Sequence, residues 1–264
     1  MAIRAVLFDL DGTLLDLDMD RFLPVYLDAL GRFLADRLPP ADLVEAVMAA
    51  TTAMFADVDP QVTNEQAFWR AFVRRTGLGL DSLREPLERF YREEFPRLGG
   101  EARPVPGAGE VLAALRRDGF KLALATNPLF PRTAVEARLA WAGIDPDLFA
   151  VIADYETMHA CKPQPGFFHE LCGRLGVEPR QALMVGNDPV IDIRGAARLG
   201  MATYLVEGTA PPGVFERQMG AAVLGGAGDE GDAAAGTGLR PAGSGPLAGV
   251  RKFVHAFTNS PRFP

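Results

Sequence analysis

Cysteine is scarce in this sequence of 264 residues, where Cys161 and Cys172 are the two thiols. Two cysteines cannot build the disulfide framework on which small secreted domains depend, and they suit a reducing cytoplasm. Histidine is scarce as well, and His159, His169 and His255 are scattered without the spacing of a metal site. The composition thus excludes a disulfide-stabilised scaffold and gives no indication of a histidine-bound metal.

Long hydrophobic runs are also missing. The apolar stretch near the amino terminus is interrupted by Arg4 and followed at once by Asp9, so it is too short and too soon acidic for a signal peptide. No later stretch approaches the length of a membrane span. We therefore expect a cytoplasmic protein without membrane contact.

Positive charge is in deficit, since the net charge is -7 and the pI is about 5.1. An acidic chain gains nothing from the phosphate backbone of nucleic acid, so nucleic acid is not an expected partner. A small phosphorylated ligand would need a local site that overcomes this field, and a metal ion would serve. The sequence leaves the oligomeric state open.

Short, continuously apolar runs predict strands that are buried on both faces, as in a parallel sheet. Helical patterns lie between the runs, and several of these helices are followed by glycine, the usual stop signal. Alternation of this kind predicts an α/β fold with a doubly wound parallel sheet. The predicted strands cover residues 5–8, 121–125, 149–152, 182–185 and 202–206.

The domain organisation is read from where this alternation fails. Residues 16–100 form helix after helix without a strand-like run, which predicts a helical cap inserted into a discontinuous core of residues 1–15 and 101–224. Residues 225–249 contain nine glycines and little apolar surface, so we predict that they are disordered. Residues 250–264 regain apolar character and are expected to form a tail that docks on the core.

Four groups of polar residues directly follow predicted strands. Each alone has an ordinary interpretation as a turn, a helix cap or a surface lysine. The carboxyl ends of parallel strands meet at one crevice, however, so together they predict a site of carboxylates, a hydroxyl and one ammonium. Hard oxygen ligands suit Mg²⁺, and the ammonium would neutralise remaining negative charge. The groups contain Asp9, Asp11 and Thr13; Thr126 and Asn127; Lys162; and Asn187, Asp188 and Asp192.

These motifs, in this order and spacing, resemble the haloacid dehalogenase (HAD) superfamily. The resemblance covers about residues 3–14 and 104–207, with the helical insertion at the place of a C1-type cap. It implies a phosphatase in which Asp9 attacks phosphorus to give an aspartyl-phosphate, while Asp11 acts as general acid and then general base. It also implies Mg²⁺ held by the Asp9 carboxylate, the Asp11 carbonyl and one carboxylate of the fourth motif.

The remaining site residues follow from the same resemblance. Thr126 and the Asn127 backbone N–H are expected to bind phosphoryl oxygens. Lys162 is expected to bridge the phosphate and Asp9, with Thr13 in a supporting role.

The fourth motif departs from the commonest pattern of the superfamily, which has Gly-Asp where this chain has Gly186-Asn187-Asp188. Either Asp188 is the metal ligand, or Asn187 takes that place and Asp188 supports it. We favour Asp188, because a carboxylate offsets more of the ion's charge than an amide does. Asp192 is then a supporting or helix-capping residue.

Alternative functions on the same scaffold differ in what they require. A phosphomutase similar to β-phosphoglucomutase would share every core residue and stays open. A dehalogenase does not need Asp11, and a phosphonatase uses a cap lysine, whereas residues 16–100 contain no lysine. A non-catalytic binding protein would be expected to have lost one of the catalytic groups, all of which are present.

Overall fold

The computed structural model describes residues 2–223 and 241–258. Its strands, in chain order, are β1 (Ala5–Phe8), β2 (Leu15–Asp16), β3 (Arg103–Pro104), β4 (Lys121–Leu124), β5 (Val151–Ile152), β6 (Ala182–Gly186), β7 (Ala202–Val206) and β8 (Gly243–Gly245). Six of them form one sheet in the order β5-β4-β1-β6-β7-β8, and every neighbouring pair is parallel. The predicted α/β fold class is confirmed.

The helices, in chain order, are α1 (Met19–Phe33), α2 (Pro40–Ala56), α3 (Asn64–Thr76), α4 (Leu80–Arg89), α5 (Ala108–Arg117), α6 (Arg132–Trp141), α7 (Pro165–Leu175), α8 (Gly195–Ala197), α9 (Val214–Val223) and α10 (Val250–Thr258). A π-helical turn over Pro189–Arg194 leads directly into α8. No helix of the described ranges combines the length and apolar character needed to cross a lipid bilayer.

Helices cover both faces of the sheet. All four residues of β1 are fully buried, as the continuous apolar run predicted. Because successive side chains of a strand point to opposite faces, Val6 and Phe8 pack with α5, α6 and α10, while Leu7 packs with α7 and α8. The central strand is therefore shielded from water on both sides, which fixes its carboxyl end as a rigid platform.

The insertion between β1 and β4 is helical and is tied to the core at its base. Strands β2 and β3 pair antiparallel there, with Leu15 opposite Pro104. Helix α3 begins with a capping box between Thr63 and Gln66 and ends at Gly77, whose φ of 73° places it in the left-handed region. Beyond α4, Phe90–Glu94 and Phe95–Glu101 continue the chain as π and 3-10 turns back to the core.

The end of the glycine-rich region is ordered, contrary to the prediction. Strand β8 pairs with β7, and the 3-10 turn Leu247–Gly249 that follows it buries Leu247. A side chain at Gly243 would meet the ring of Phe253, so the glycine provides room for packing rather than flexibility. The prediction of disorder is therefore wrong for residues 241–249, and residues 225–240 lie outside the described ranges.

Helix α10 docks on the core. Val250 and Val254 are fully buried, and Arg251 and His255 bond to the carboxylate of Asp118 at the end of α5. The Arg251 and His255 hydrogen bonds hold the pKa of Asp118 well below its usual range. Residues 259–264 of the predicted tail lie outside the described ranges.

Candidate active site

The carboxylate of Asp9 stands at the end of the central strand. Its backbone N–H continues the sheet by donating to the Val185 carbonyl at 2.9 Å. The chain then turns at Gly12, which has a φ of 77°, and a Cβ there would lie 1.9 Å from Nδ2 of Asn187. Only glycine therefore suits this turn, both for its backbone conformation and for the close approach of the fourth motif.

Two side chains hold the Asp9 carboxylate. Lys162 Nζ donates to Oδ1 at 2.7 Å, and Thr13 Oγ1 donates to Oδ2 at 3.3 Å. Lys162 is 1% exposed and also donates to Oδ1 of Asp192 at 2.7 Å. A buried ammonium between two carboxylates is well compensated, and it fixes Asp9 in one orientation.

Asp192 and Asp188 organise the helix that follows β6. Asp188 Oδ1 caps the helix by accepting from the backbone N–H groups of Val190 and Ile191, at 2.7 and 3.1 Å. The Asp188 N–H in turn donates to Oδ2 of Asp192 at 3.1 Å. Burial raises the pKa of Asp192, and the charge of Lys162 opposes that rise.

The predicted phosphate-binding residues lie on the other side of Asp9, after β4. Thr126 and Asn127 are both buried, and Asn127 Oδ1 accepts from the Lys162 backbone N–H at 3.0 Å. One cavity is lined by most of the predicted site residues, namely Asp9, Asp11, Thr126, Asn127, Asn187, Asp188 and Asp192. Lys162 and Thr13 reach it through their bonds to Asp9. All nine predicted site residues thus meet at one place.

Arg138 is a site residue that the sequence analysis missed. It lies on α6, is 1% exposed, and its Nη1 donates to Oδ2 of Asp11 at 2.5 Å. Burial raises the pKa of Asp11 to about 6, and the Arg138 charge limits that rise. The available signal was an arginine within the apolar stripe of Ala134, Val135 and Leu139, where a charge needs a buried partner.

The loop between β7 and α9 covers one side of the cavity. The Asp16 carboxylate accepts from the Ala210 N–H at 2.7 Å, and the Asp20 carboxylate accepts from the Val214 N–H at 2.9 Å. Asn187 Nδ2 also binds this loop, at the Ala210 carbonyl. These acidic residues after the first motif therefore position a wall of the site, a role that their sequence alone did not indicate.

The donor set fits a hard divalent cation. Within the described residues, no three histidine, cysteine or acidic side chains form a ready-made cluster. Mg²⁺, however, needs few carboxylates and takes its other ligands from water and phosphate. Asp188 Oδ2 is buried without a hydrogen-bond donor and has Arg217 Nε at 3.5 Å as its ionic neighbour. Such an oxygen, in the same cavity wall as Asp9, suits a cation, while Asn187 donates its Nδ2 to the Ala210 carbonyl of the loop.

Known proteins place the chain in a family. A model of haloacid dehalogenase-like hydrolases matches residues 3–200. A phosphoglycolate phosphatase of Haemophilus influenzae is 33% identical over 74% of this chain and 81% of its own length. An N-acetylmuramic acid 6-phosphate phosphatase of Pseudomonas aeruginosa is 30% identical over 78% of this chain and 82% of its own.

The fold agrees with this placement. A solved HAD phosphatase from Thermococcus onnurineus matches 96% of this chain and 98% of its own, with a TM-score of 0.55 and 24% identity. The family match covers the first motif, the helical insertion, and the motifs around Thr126, Lys162 and Asp188. The chain therefore belongs to the haloacid dehalogenase-like hydrolases and is a phosphatase of that superfamily.

Proposed function

We propose that this phosphatase is a Mg²⁺-dependent phosphomonoester hydrolase that acts on a small phosphorylated metabolite through a covalent phosphoryl group on Asp9. The supporting observation is the environment of Asp9. Its carboxylate is held by Lys162 and Thr13 inside a cavity that Asp11 and Thr126 also line. A carboxylate fixed in this way is a positioned nucleophile rather than a mobile surface charge.

In the first step, a carboxylate oxygen of Asp9 forms a bond to phosphorus, and the bond from phosphorus to the alcohol oxygen breaks. Asp11 gives its proton to that leaving oxygen, so the product departs as a neutral alcohol. The pKa of Asp11, raised to about 6 by burial, supports this role because the acid form is present near neutral pH. An ordinary exposed aspartic acid would be almost fully ionised there.

In the second step, a water molecule attacks the phosphorus of the acyl phosphate. The Asp11 carboxylate, now deprotonated, takes a proton from that water, and the bond between phosphorus and the Asp9 oxygen breaks. Inorganic phosphate leaves, Asp9 returns as a carboxylate, and Asp11 returns as an acid. The same residue thus serves both steps, with its proton restored.

The phosphoryl group needs positive charge and donors around its oxygens. The Lys162 ammonium, the Thr126 hydroxyl and the Asn127 backbone N–H are the groups proposed to supply them. The Asp9 carboxylate, the Asp11 carbonyl and the Asp188 carboxylate are the proposed Mg²⁺ ligands. When bound, Mg²⁺ offsets the repulsion between the phosphate and the nearby carboxylates.

The phosphomutase alternative needs a second place for a phosphate. A mutase holds a bisphosphorylated intermediate, so its cap side must bind a dianion as the core side does. The cavity between cap and core has no lysine or arginine among its described lining residues. This lining favours hydrolysis, and incubation with a sugar phosphate and its bisphosphate, followed by analysis for an isomerised product, compares the two.

The decisive variant is Asp9→Asn, with Asp81→Asn on the exposed surface of α4 as a matched control. We expect Asp9→Asn to lose turnover and to give no acid-stable phosphoryl adduct in mass spectrometry, while its melting temperature stays near that of the parent. Asp81→Asn should retain full activity. A folded Asp9→Asn protein with substantial phosphatase activity would contradict covalent catalysis.

A further inference from the structure

An apolar cavity of about 90 Å³ lies between the cap and the core. Helices α1–α4 line it from the cap, and residues 129–131 line it from the core. Met19 and Gly213 belong to its wall and also to the wall of the catalytic cavity. The two spaces are therefore adjacent, and a substrate whose phosphate sits at Asp9 would extend its leaving group towards this cavity.

The cavity wall is mostly apolar. Its described lining contains one acidic residue, Asp20, whose Oδ1 accepts the Val214 N–H, and no basic residue. A carboxylate or a second phosphate would find no counter-charge there and would be desolvated without compensation. The wall includes Leu30, Leu43, Phe68, Phe72, Leu83 and Phe130.

Several polar atoms of the wall have partners within the protein, such as Thr51 Oγ1, which donates to the Val47 carbonyl at 2.9 Å, whereas Trp69 Nε1 is buried without one. The hydroxyls of Tyr26 and Tyr91 lie 2.8 Å apart and form a hydrogen bond. Burial raises the pKa of Tyr26 to about 12, so both hydroxyls are neutral under ordinary conditions. These two hydroxyls need no hydrogen bond from a ligand. The rest of the cavity wall would bind a ligand mainly through apolar contacts.

We propose that the substrate carries a hydrocarbon leaving group that fills this cavity. The inference rests on the proposed function, and it distinguishes this enzyme from its relatives, one of which is named for phosphoglycolate, a compound with an anionic leaving group. A cavity of 150 Å³ accommodates benzene, so one of about 90 Å³ holds roughly four carbon atoms. The preferred esters are thus short alkyl or similarly small apolar phosphates.

A series of n-alkyl phosphates from methyl to hexyl tests the inference. Their alkoxide leaving groups differ little in basicity, so changes in kcat/KM report contacts of the chain. With excess Mg²⁺, kcat/KM should rise about threefold to fourfold per methylene up to roughly butyl and then level off. 2-Phosphoglycolate should be a poorer substrate than butyl phosphate.

A matched pair of variants locates the effect. Val47→Phe places a ring in the cavity, whereas Val44→Phe changes the same helix at a residue outside the cavity wall. We expect Val47→Phe to lower kcat/KM for butyl phosphate about tenfold or more, and to leave methyl phosphate within about twofold. Val44→Phe should affect neither ester. Val47→Leu, a smaller addition, is the substitute if the melting temperature shows that Val47→Phe does not fold.

The outcomes separate this inference from the function on which it rests. Turnover with a flat chain-length profile, or with 2-phosphoglycolate preferred, overturns the inference and leaves the hydrolase intact. If no ester is hydrolysed, the proposed function fails instead, and calorimetry with n-butylphosphonate and methylphosphonate then tests the cavity directly. Equal dissociation constants for the two phosphonates overturn the inference, and at least tenfold tighter binding of n-butylphosphonate supports it.

Discussion

The buried pair of Arg138 and Asp11 allows a quantitative test by Arg138→Met. Methionine keeps much of the buried stem of the arginine but removes its charge. Arg138 is 1% exposed, and its guanidinium carbon lies 4.6 Å from the centre of the Phe130 ring. Its Nε and Nη2 are buried without a hydrogen-bond partner, so the Asp11 contact is the main polar interaction of the group.

The magnitude follows from the charge on Asp11. Unit charges about 4 Å apart attract by about 4 kcal/mol at an effective dielectric constant near 20. Without Arg138, the pKa of Asp11 rises above its present value of about 6. A carboxyl whose folded pKa is raised destabilises the protein increasingly as pH rises from the unfolded pKa to the folded one, by about 1.4 kcal/mol per unit.

The difference between variant and parent therefore depends on pH. At pH 5, Asp11 is protonated in both folded proteins, so the attraction between Arg138 and the Asp11 carboxylate contributes close to nothing to the difference in stability. At pH 8, two units above the parent's Asp11 pKa of about 6, the carboxylate is ionised in the parent and stabilised by Arg138, so the variant loses about 2–3 kcal/mol more than at pH 5. The variant also loses Nε and Nη2, the two buried donors of Arg138 that have no partner. Their removal makes a stabilising contribution to the free energy of unfolding, and this contribution does not vary with pH.

Urea denaturation at pH 5 and pH 8 measures this difference. EDTA should be present so that no divalent cation binds near Asp11. The double variant Asp11→Asn with Arg138→Met is the control, because it has no ionisable group at either position. The difference in stability between this double variant and Asp11→Asn should not depend on pH in the way that the difference between Arg138→Met and the parent does. An equal loss of stability for Arg138→Met at both pH values would refute the electrostatic account.

Three further predictions concern the metal and the carboxyl-terminal segment. Activity should require Mg²⁺ and be inhibited by Ca²⁺, which takes more ligands at longer distances and would misplace Asp9; full activity in excess EDTA would contradict this. In Mg²⁺ titrations of activity, Asp188→Asn should raise the Mg²⁺ concentration for half-maximal activity far more than Asp192→Asn does, and Asn187→Asp should change it only modestly. A clearly lower Mg²⁺ requirement in Asn187→Asp would favour Asn187 as the position of the metal ligand. In denaturant titrations, Leu247→Ala should lower the free energy of unfolding by about 2–5 kcal/mol, because Leu247 is buried. Lys252→Ala, on the exposed side of α10, should change it by less than about 0.5 kcal/mol. Equal effects of the two variants would mean that residues 241–258 do not pack as described.

The central strands could be predicted from sequence because burial on both faces leaves a local mark. Strands β1, β4, β6 and β7 are runs of apolar residues that stop where polar residues begin. Strand β8 could not be predicted, because Gly-Ser-Gly has no apolar run and pairs only because β7 offers it an edge. Composition indicated disorder there, but tertiary packing around Tyr204 and Phe253 provides the burial that the segment itself lacks.

The gathering of the site residues could be predicted for a related reason. Parallel strands end at the same edge of a sheet, so residues that follow them converge whatever their separation in sequence. Lys162 and Asp9 are 153 positions apart, yet their side chains meet at 2.7 Å. The convergence of these groups thus follows from where the parallel strands end, and those ends are visible in the hydrophobic pattern.

Side-chain partners were decided by the tertiary structure alone. Arg138 lies 127 positions from Asp11, and no periodicity signals which buried carboxylate an arginine on an apolar helix face will meet. The same holds for Asp16 and Asp20, which bind a loop almost two hundred positions further on, and for the cavity between cap and core. Sequence patterns report whether a residue is buried, because burial repeats with the period of its own helix or strand. Which residues share the buried space depends on how separate elements pack, and that is set by the whole chain.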